Sequence, residues 1–114
     1  MKKLEIIITP EHLSDLNTLL HKHKVGGMSF FDVKGRGRAK QQPVKVKRGV
    51  TMYVPEFGFG TKIEVLVPDQ LAEKIVDDVL KTFGRGNSAI GKMFVYEVAE
   101  AYDLGTKNRG DYAL

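Results

Sequence analysis

The sequence predicts an α+β fold of the ferredoxin-like type, with the element order βαββαβ, an antiparallel sheet and both helices on one face of it. Four segments have the apolar and β-branched character of strands, and two segments between them carry apolar residues at helical spacing. The chain length of 114 residues, with 42% hydrophobic content, suits a single domain, residues 1–114, with one core. A long loop is expected between the second and third strands.

The first strand and helix are predicted from residues 2–9, KKLEIIIT, and from the turn signals that follow them. Thr9 and Pro10 supply an N-cap and a proline at the first helical position. Gly26 and Gly27 offer the left-handed conformation in which helices commonly end. The apolar positions of this helix recur at helical spacing: Leu13, Leu16, Leu19 and Leu20.

The remaining elements follow the same signals. Residues 28–34 and 59–67 read as the second and third strands, and residues 92–99 read as the fourth. A second helix is expected to open at Pro68-Asp69 and to end before Gly84. Its buried stripe is predicted to consist of Leu71, Ile75, Val76, Val79 and Leu80.

The loop between the second and third strands is strongly basic. Seven basic and no acidic residues lie between Val33 and Pro55, and without them 11 basic residues would stand against 14 acidic ones, so a net charge of +4 would become −3. No salt-bridge network can therefore form within the loop itself, and we expect the loop to contact an anionic partner. The seven cations are Lys34, Arg36, Arg38, Lys40, Lys45, Lys47 and Arg48.

Several classes of protein and site are not expected. The chain has no Cys, its N-terminal apolar run is too short for a signal peptide, and no segment has the length of a membrane span, so we expect a cytoplasmic protein without direct membrane insertion. No metal site is expected from its histidines, since His21 and His23 diverge on a helix. No catalytic constellation is recognisable, which indicates a sensor rather than an enzyme.

Four segments along nearly the whole chain, VGGMSFFDVKGRGR, KRGV, KIEVLVPD and IGKMFVYEVAEA, together resemble the P-II family of trimeric signalling proteins. VGGMSFFDVKGRGR resembles the family's second strand running into G-F-G-R, and KRGV resembles the Y-R-G-A of its long loop. KIEVLVPD resembles the K-I-E-I-V-V-P-D strand, and IGKMFVYEVAEA resembles D-G-K-I-F-V-F-D-V-A-R. These matches are collinear, which makes them more specific together than any one motif alone.

The resemblance implies that an adenine nucleotide, ATP, ADP or AMP, binds in clefts between neighbouring subunits of a homotrimer, with the need for Mg²⁺ left open. Gly35 and Gly37 would let backbone N–H groups approach a phosphate, while Arg38 and Lys92 would add positive charge. The full set of implied nucleotide-binding residues is Ile7, Ser29, Gly35, Arg36, Gly37, Arg38, Glu64, Leu66, Gly91, Lys92 and Phe94.

The chain also departs from the family pattern. Ala39 and Gly60 stand where the family has a Gln and the Lys that grips 2-oxoglutarate, so two ligands of that keto acid are missing. Asp103 and Gly105 stand where two arginines clamp the phosphates. Each lost charge-assisted contact is worth roughly 1.5–3 kcal/mol, so a triphosphate should bind more weakly here than in the family.

The resemblance further implies that the long loop, residues 37–58, engages a regulated transporter or metabolic enzyme, such as an ammonium transporter. Residues 102–114 lack periodicity and are expected to form a flexible tail. Two alternatives remain at this point: a nucleic-acid-binding ferredoxin-like domain that uses the basic loop, and a structural trimer without a ligand. The implied partner-binding residues are Lys40, Lys45, Lys47, Arg48, Thr51 and Tyr53.

Overall fold

The structure is a computed structural model that describes residues 1–37, 43–45, 52–86 and 90–114. Its helices are α1 (Leu13–Lys22) and α2 (Asp69–Phe83). The predicted βαββαβ core, an α+β ferredoxin-like fold, is confirmed, and a short ribbon of two strands, each two residues long, is added between its second and third strands. The strands are β1 (Lys2–Ile8), β2 (Ser29–Gly35), β3 (Val44–Lys45), β4 (Met52–Tyr53), β5 (Gly58–Val67) and β6 (Gly91–Glu97).

The main sheet has the strand order β2-β5-β1-β6, and every neighbouring pair is antiparallel. On the central strand β1, Ile6 lies opposite Ile63 of β5 on one side and opposite Met93 of β6 on the other. β2 and β6 are the two outer strands of this sheet. The register fixes which side chains share a face, because directly opposite residues point the same way.

One face of the sheet carries the core. Alternate residues of β1 and β5 are buried there, and both helices cover them with their own buried residues. Among the residues described, the other face has no helix over it; it is called the open face below. The buried hydrophobic residues are Leu4, Ile6, Ile8, Leu16, Leu19, Leu20, Ile63, Val65, Val67, Ala72, Ile75 and Val79.

The end of α1 differs from the prediction. The left-handed residue is Lys24, with φ 58°, and not Gly26 or Gly27. The Lys24 N–H donates to the His21 carbonyl at 2.9 Å, and the Val25 N–H donates to the Leu20 carbonyl at 3.1 Å. This is the paired bonding of a Schellman end, completed two residues before the glycines.

The start of α1 also differs from the prediction. Thr9 has extended backbone angles, but its hydroxyl makes no capping bond, and its Oγ1 is buried without a partner among the described residues. Pro10–His12 form a 3₁₀ turn that precedes the helix, and the His12 N–H donates to the Thr9 carbonyl at 3.0 Å. The proline therefore acts as expected at a first helical position, whereas the threonine side chain does not.

The segment 102–114 has local structure that its sequence does not predict. Tyr102 and Arg109 form an antiparallel bridge, and Gly110–Ala113 form a 3₁₀ helix. Whether this segment is flexible, as predicted from the sequence, stays a prediction. In the ranges that the structure describes, no helix is long and apolar enough to cross a membrane.

Candidate functional site

Apart from Gly91, which lies opposite the buried Ile8, the strand residues of the implied nucleotide set fall on the open face of the sheet. Ile7 alternates with the buried Ile6 and Ile8, and Glu64 alternates with the buried Ile63 and Val65. The register then places their cross-strand neighbours on the same face. The side chains of the set that share the open face are Ile7, Ser29, Glu64, Leu66, Lys92 and Phe94.

One row of this face crosses all four strands. Ser29 lies opposite Glu64, Glu64 opposite Glu5, and Glu5 opposite Phe94. Neighbouring strands are about 4.8 Å apart, so the outer residues Ser29 and Phe94 are separated by roughly 14 Å. One protomer therefore spreads the implied residues across the whole sheet, from Ser29 on one outer strand to Lys92 and Phe94 on the other.

Charged and aromatic side chains outside the implied nucleotide set also lie on the open face. The Lys62 ammonium lies 3.8 Å from the Glu5 carboxylate and 5.8 Å from the centre of the Phe31 ring. The Tyr96 hydroxyl donates to Glu5 at 3.4 Å, and the Lys3 ammonium sits 4.6 Å from the Tyr96 ring centre. The alternation of β1 could have revealed Lys3 and Glu5 from the sequence, because both share the parity of Ile7.

At the end of β2, the loop base is open. A Cβ added at Gly35 or Gly37 would meet no atom within 4 Å, so nothing in the described protomer requires glycine at either position. The Arg36 guanidinium lies 3.4 Å from the Glu56 carboxylate, and both side chains are largely exposed. Arg38 falls outside the described residues.

At the start of β6, the packing of the strands explains why residue 91 is a glycine. A Cβ there would stand 2.1 Å from the Ile7 carbonyl oxygen and 2.9 Å from the Ile8 Cα, so no side chain fits between β6 and β1. Lys92, one residue later, is exposed and lies opposite Ile7. The side chain that can present charge at this edge is therefore Lys92, while Gly91 allows the close approach of the strands.

The partner-binding residues are only partly described. Tyr53 lies on β4 opposite Val44, and about half of its surface is exposed. The backbone of Lys45 belongs to β3. The other predicted loop residues, Lys40, Lys47, Arg48 and Thr51, fall outside the described residues.

Asp103 is one of the departures from the family pattern, and its side chain makes hydrogen bonds within the turn that follows it. Its carboxylate accepts hydrogen bonds from the backbone N–H of Thr106 at 3.0 Å and of Gly105 at 2.8 Å, and these bonds hold the pKa of Asp103 below its usual range. The Arg109 guanidinium lies over the Tyr102 ring, 5.5 Å from the ring centre.

Across the described ranges, no three His, Cys, Asp or Glu side chains are grouped so as to hold a metal ion.

Comparisons with known proteins agree with this architecture. The family model described as nitrogen regulatory protein P-II matches residues 1–108. Nitrogen regulatory protein P-II 1 of Escherichia coli strain K12 is 35% identical over the whole length of both chains, and the P-II protein of Klebsiella oxytoca is 34% identical, again over the whole length of both. Among solved structures, B. subtilis GlnK superposes with a TM-score of 0.77 at 27% identity, covering 99% of this chain and 97% of that one. The chain therefore belongs to the nitrogen regulatory P-II family, whose members are signalling regulators rather than enzymes.

Proposed function

We propose that this protein is a nucleotide-responsive regulator of nitrogen metabolism. An adenine nucleotide binds in each cleft between neighbouring subunits of a homotrimer. Its presence changes the order of residues 37–58, and this loop then engages or releases a transporter or a metabolic enzyme, for which an ammonium transporter is the leading candidate.

The observation that carries this proposal is the spread of the implied residues across one sheet, with Ser29 and Gly35 on one outer strand and Lys92 and Phe94 on the other. Groups separated by roughly 14 Å within a protomer cannot close around one phosphate, but the β2 edge of one subunit can face the β6 edge of the next. A head-to-tail contact of this kind closes into a ring when the rotation between subunits allows it. A trimer supplies three such clefts.

The chemistry of the implied residues is complementary to a nucleotide. Ile7 and Phe94 offer apolar contact to a base, while Ser29 and Glu64 can hydrogen-bond its polar edge. The backbone at Gly35 is free to approach a phosphate, because no side chain stands there. Lys92 supplies a positive charge from the opposite edge, and the sequence places Arg38 three residues beyond Gly35.

The region around Gly60 argues against 2-oxoglutarate as a second ligand. A Cβ at Gly60 would lie 3.3 Å from the Ile8 carbonyl oxygen, 3.5 Å from Val33 and 3.6 Å from Ile7. These neighbours leave little room for a side chain at position 60. No ammonium is presented from this position to a dicarboxylate. We therefore expect nucleotide binding without synergy from the keto acid.

Isothermal titration of the purified protein with ATP, ADP, AMP and 2-oxoglutarate, with and without Mg²⁺, tests the proposal. We expect saturable binding of an adenine nucleotide. Lys92→Ala and Arg38→Ala should each weaken it by about 10- to 100-fold, the cost of one charge-assisted hydrogen bond, without dissociating the trimer. Lys74→Ala, an exposed lysine on α2, is the matched control and should bind normally.

If both variants bound the nucleotide with unchanged affinity, the proposed site would be wrong. If light scattering showed a monomer, a cleft between subunits would be excluded.

The proposed mechanism also depends on the positive charge of the loop. An anion held by Arg38 and Lys92 would reduce repulsion among the seven loop cations and so favour one arrangement of the loop. Protection of the loop from limited proteolysis by the nucleotide is the expected sign of that step.

Binding of nucleic acid by the sheet is not favoured. RNA-recognition modules stack bases on aromatic side chains displayed by the central strands of a four-stranded sheet. Here the open-face residues of β1 are Lys3, Glu5 and Ile7, and Phe59 of β5 lies opposite Lys34 on the other face. The sheet therefore lacks a stacking platform at its centre.

A further inference from the structure

The helix side of the sheet has an apolar cavity beside the outer strand β6. The cavity lies between the C-terminal half of α2 and β6, and its volume is about 380 Å³. Leu80, which the sequence predicts to be buried, is 59% exposed at this cavity. The described protomer therefore leaves apolar surface uncovered here. The apolar lining consists of Ile6, Val79, Leu80, Phe83, Ile90 and Met93.

The opposite outer strand, β2, presents an apolar side chain of its own. Phe30 lies opposite the buried Ile63, so it points to the helix side of the sheet, and it is 54% exposed. Asp32 follows on the same side, opposite the buried Thr61, and is also exposed. An exposed aromatic ring and an uncovered apolar cavity thus lie at the two outer strands, on the same side of the sheet.

The strand register places the ring and the cavity at the same level of the sheet. One cross-strand row contains Phe30, Ile63, Ile6 and Met93, and the last two line the cavity. β2 and β6 run in opposite directions, because three antiparallel pairings separate them. A second copy that is rotated about an axis along the strands can therefore set its β6 antiparallel to β2, with its Met93 level with Phe30.

The next row on the helix side carries complementary charge. Asp32 on β2 shares this row with Gly91 on β6, and Gly91 lines the cavity together with Arg85. Within the described ranges, neither Asp32 nor Arg85 forms an ion pair. The rotation that brings Phe30 to the cavity of a second copy also brings a carboxylate towards a guanidinium.

We propose that Phe30 of one subunit enters this cavity of the next subunit, and that Asp32 pairs with Arg85 across the same contact. An aromatic side chain seated in a pocket is the usual form of a contact that dominates an interface. The proposal rests on the homotrimer of the proposed function and names the residues that close the ring on the helix side. The contact adjoins the nucleotide cleft, because Gly91 and Lys92 line the same cavity.

A small apolar molecule is the other occupant that a cavity of this size accepts. It accounts for the apolar lining and for the exposure of Leu80. It gives no role to Phe30, which is exposed at the same level of the opposite strand, or to the complementary charges of Asp32 and Arg85. A second copy of the chain accounts for all of these features.

Analytical ultracentrifugation of the full-length protein over a dilution series tests the proposal. Phe30→Ser should make the trimer dissociate at protein concentrations at least about tenfold higher, because it removes the apolar anchor of every interface. Phe30→Leu, which keeps a large apolar side chain, should retain most of the stability of the trimer. Phe59→Ser is the matched control, since Phe59 is 70% exposed on the inner strand β5, and it should leave the trimer unchanged.

Charge reversal tests whether the two charged residues face each other across the interface. Asp32→Arg and Arg85→Asp should each raise the concentration at which the trimer dissociates by at least about tenfold, because like charges then meet. The double variant restores opposite charges and should return to within about threefold of the unaltered protein. Asp15→Arg, at an exposed position of α1, is the control and should behave like the unaltered protein. Circular dichroism of every variant shows that a loss of assembly is not a loss of fold.

Three results would overturn the proposal and leave the trimer of the proposed function in place. The first is an unchanged dilution profile for Phe30→Ser, and the second is a double charge variant no more stable than the single ones. The third is binding of anilinonaphthalene sulfonate to the unaltered trimer that Leu80→Glu abolishes, which would assign the cavity to a small apolar ligand.

Failure of the proposed function gives a different result. An unaltered protein that is monomeric at every concentration would contradict both the cleft and the contact proposed beside it. Nucleotide titration of each variant, at a concentration at which it is trimeric, reports on the cleft independently of assembly.

Discussion

Asp78 joins the two helices through a contact that depends on its charge. Its carboxylate lies 2.7 Å from His23 Nε2 and 3.2 Å from the Lys22 ammonium, and the side chains of Asp78 and His23 are largely buried. The hydrogen bond to His23, followed by that to Lys22, holds the pKa of Asp78 below its ordinary value of 3.8. A carboxyl group with a depressed pKa stabilises the fold above the ordinary pKa and loses that contribution as the pH falls through the folded one.

We therefore predict that Asp78→Asn lowers the thermal unfolding midpoint at neutral pH. As the pH falls below 3.8, the unaltered protein should lose its advantage and the two midpoints should converge. Asp77→Asn, at the exposed neighbouring position, is the control and should follow the unaltered protein. A constant gap between the Asp78 variant and the unaltered protein across this pH range would contradict the argument.

Two glycines of the implied site should respond differently to the same change. Gly91→Ala places a methyl group 2.1 Å from a backbone oxygen of β1, so β6 must shift, at a cost of about 1–3 kcal/mol in the free energy of unfolding. Gly35→Ala meets open space and should change stability by less than about 0.5 kcal/mol. Denaturant unfolding measures both.

Nucleotide titration then separates the two roles. If Gly35 is glycine so that the backbone can approach a phosphate, its alanine variant should fold normally and bind nucleotide more weakly. Normal binding by that variant would leave the glycine unexplained. The sequence pattern treats the two positions alike, as glycines near phosphate, and only the packing of β6 against β1 distinguishes them.

Among the elements, α1 illustrates where local signals mislead. Its apolar spacing predicts the buried face well, because Leu16, Leu19 and Leu20 are all buried. Its ends are less predictable, since a left-handed lysine completes the C-terminus and the glycines follow outside it. A residue other than glycine can occupy such a position when the surrounding hydrogen bonds compensate its strain.

The N-terminus of α1 yields a prediction at the same scale. A hydroxyl that caps a helix contributes about 1 kcal/mol, but the Thr9 hydroxyl is buried and has no partner among the described residues. Thr9→Val should therefore leave the free energy of unfolding unchanged or raise it slightly. Thr9→Ser, which retains the hydroxyl and loses the methyl group, should be less stable than the valine variant. If instead Thr9→Val alone lowered the free energy of unfolding by about 1 kcal/mol, the Thr9 hydroxyl would be a helix cap after all.

The ribbon of β3 and β4 was missed for a physical reason. Each strand has two residues, which is too short to show alternation, and the surrounding basic composition indicates a solvated loop. The pairing of Val44 with Tyr53 depends on contacts across the loop rather than on local propensity. Among the longer strands, β1 and β5 were predictable because the burial of alternate residues imposes a pattern on them. β2 and β6 are mostly exposed, and their apolar and β-branched residue types predicted them instead.

For the whole molecule, the sequence could name candidate residues but not the geometry that relates them. Ser29 and Phe94 share one row of one face only because three strand pairings have particular registers. Neither composition nor motif spacing contains those registers. The resulting distance between the residues on the two outer strands is what makes a site shared between subunits physically reasonable.

That arrangement predicts complementation between two defective proteins. Arg38→Ala damages the β2 side of every cleft, and Lys92→Ala damages the β6 side. In trimers reassembled from an equal mixture, about one cleft in four would combine an intact β2 side from one variant with an intact β6 side from the other. Nucleotide titration should therefore recover about a quarter of the normal number of sites, at near-normal affinity. A site formed within one chain would recover none, because every subunit would carry one of the two defects.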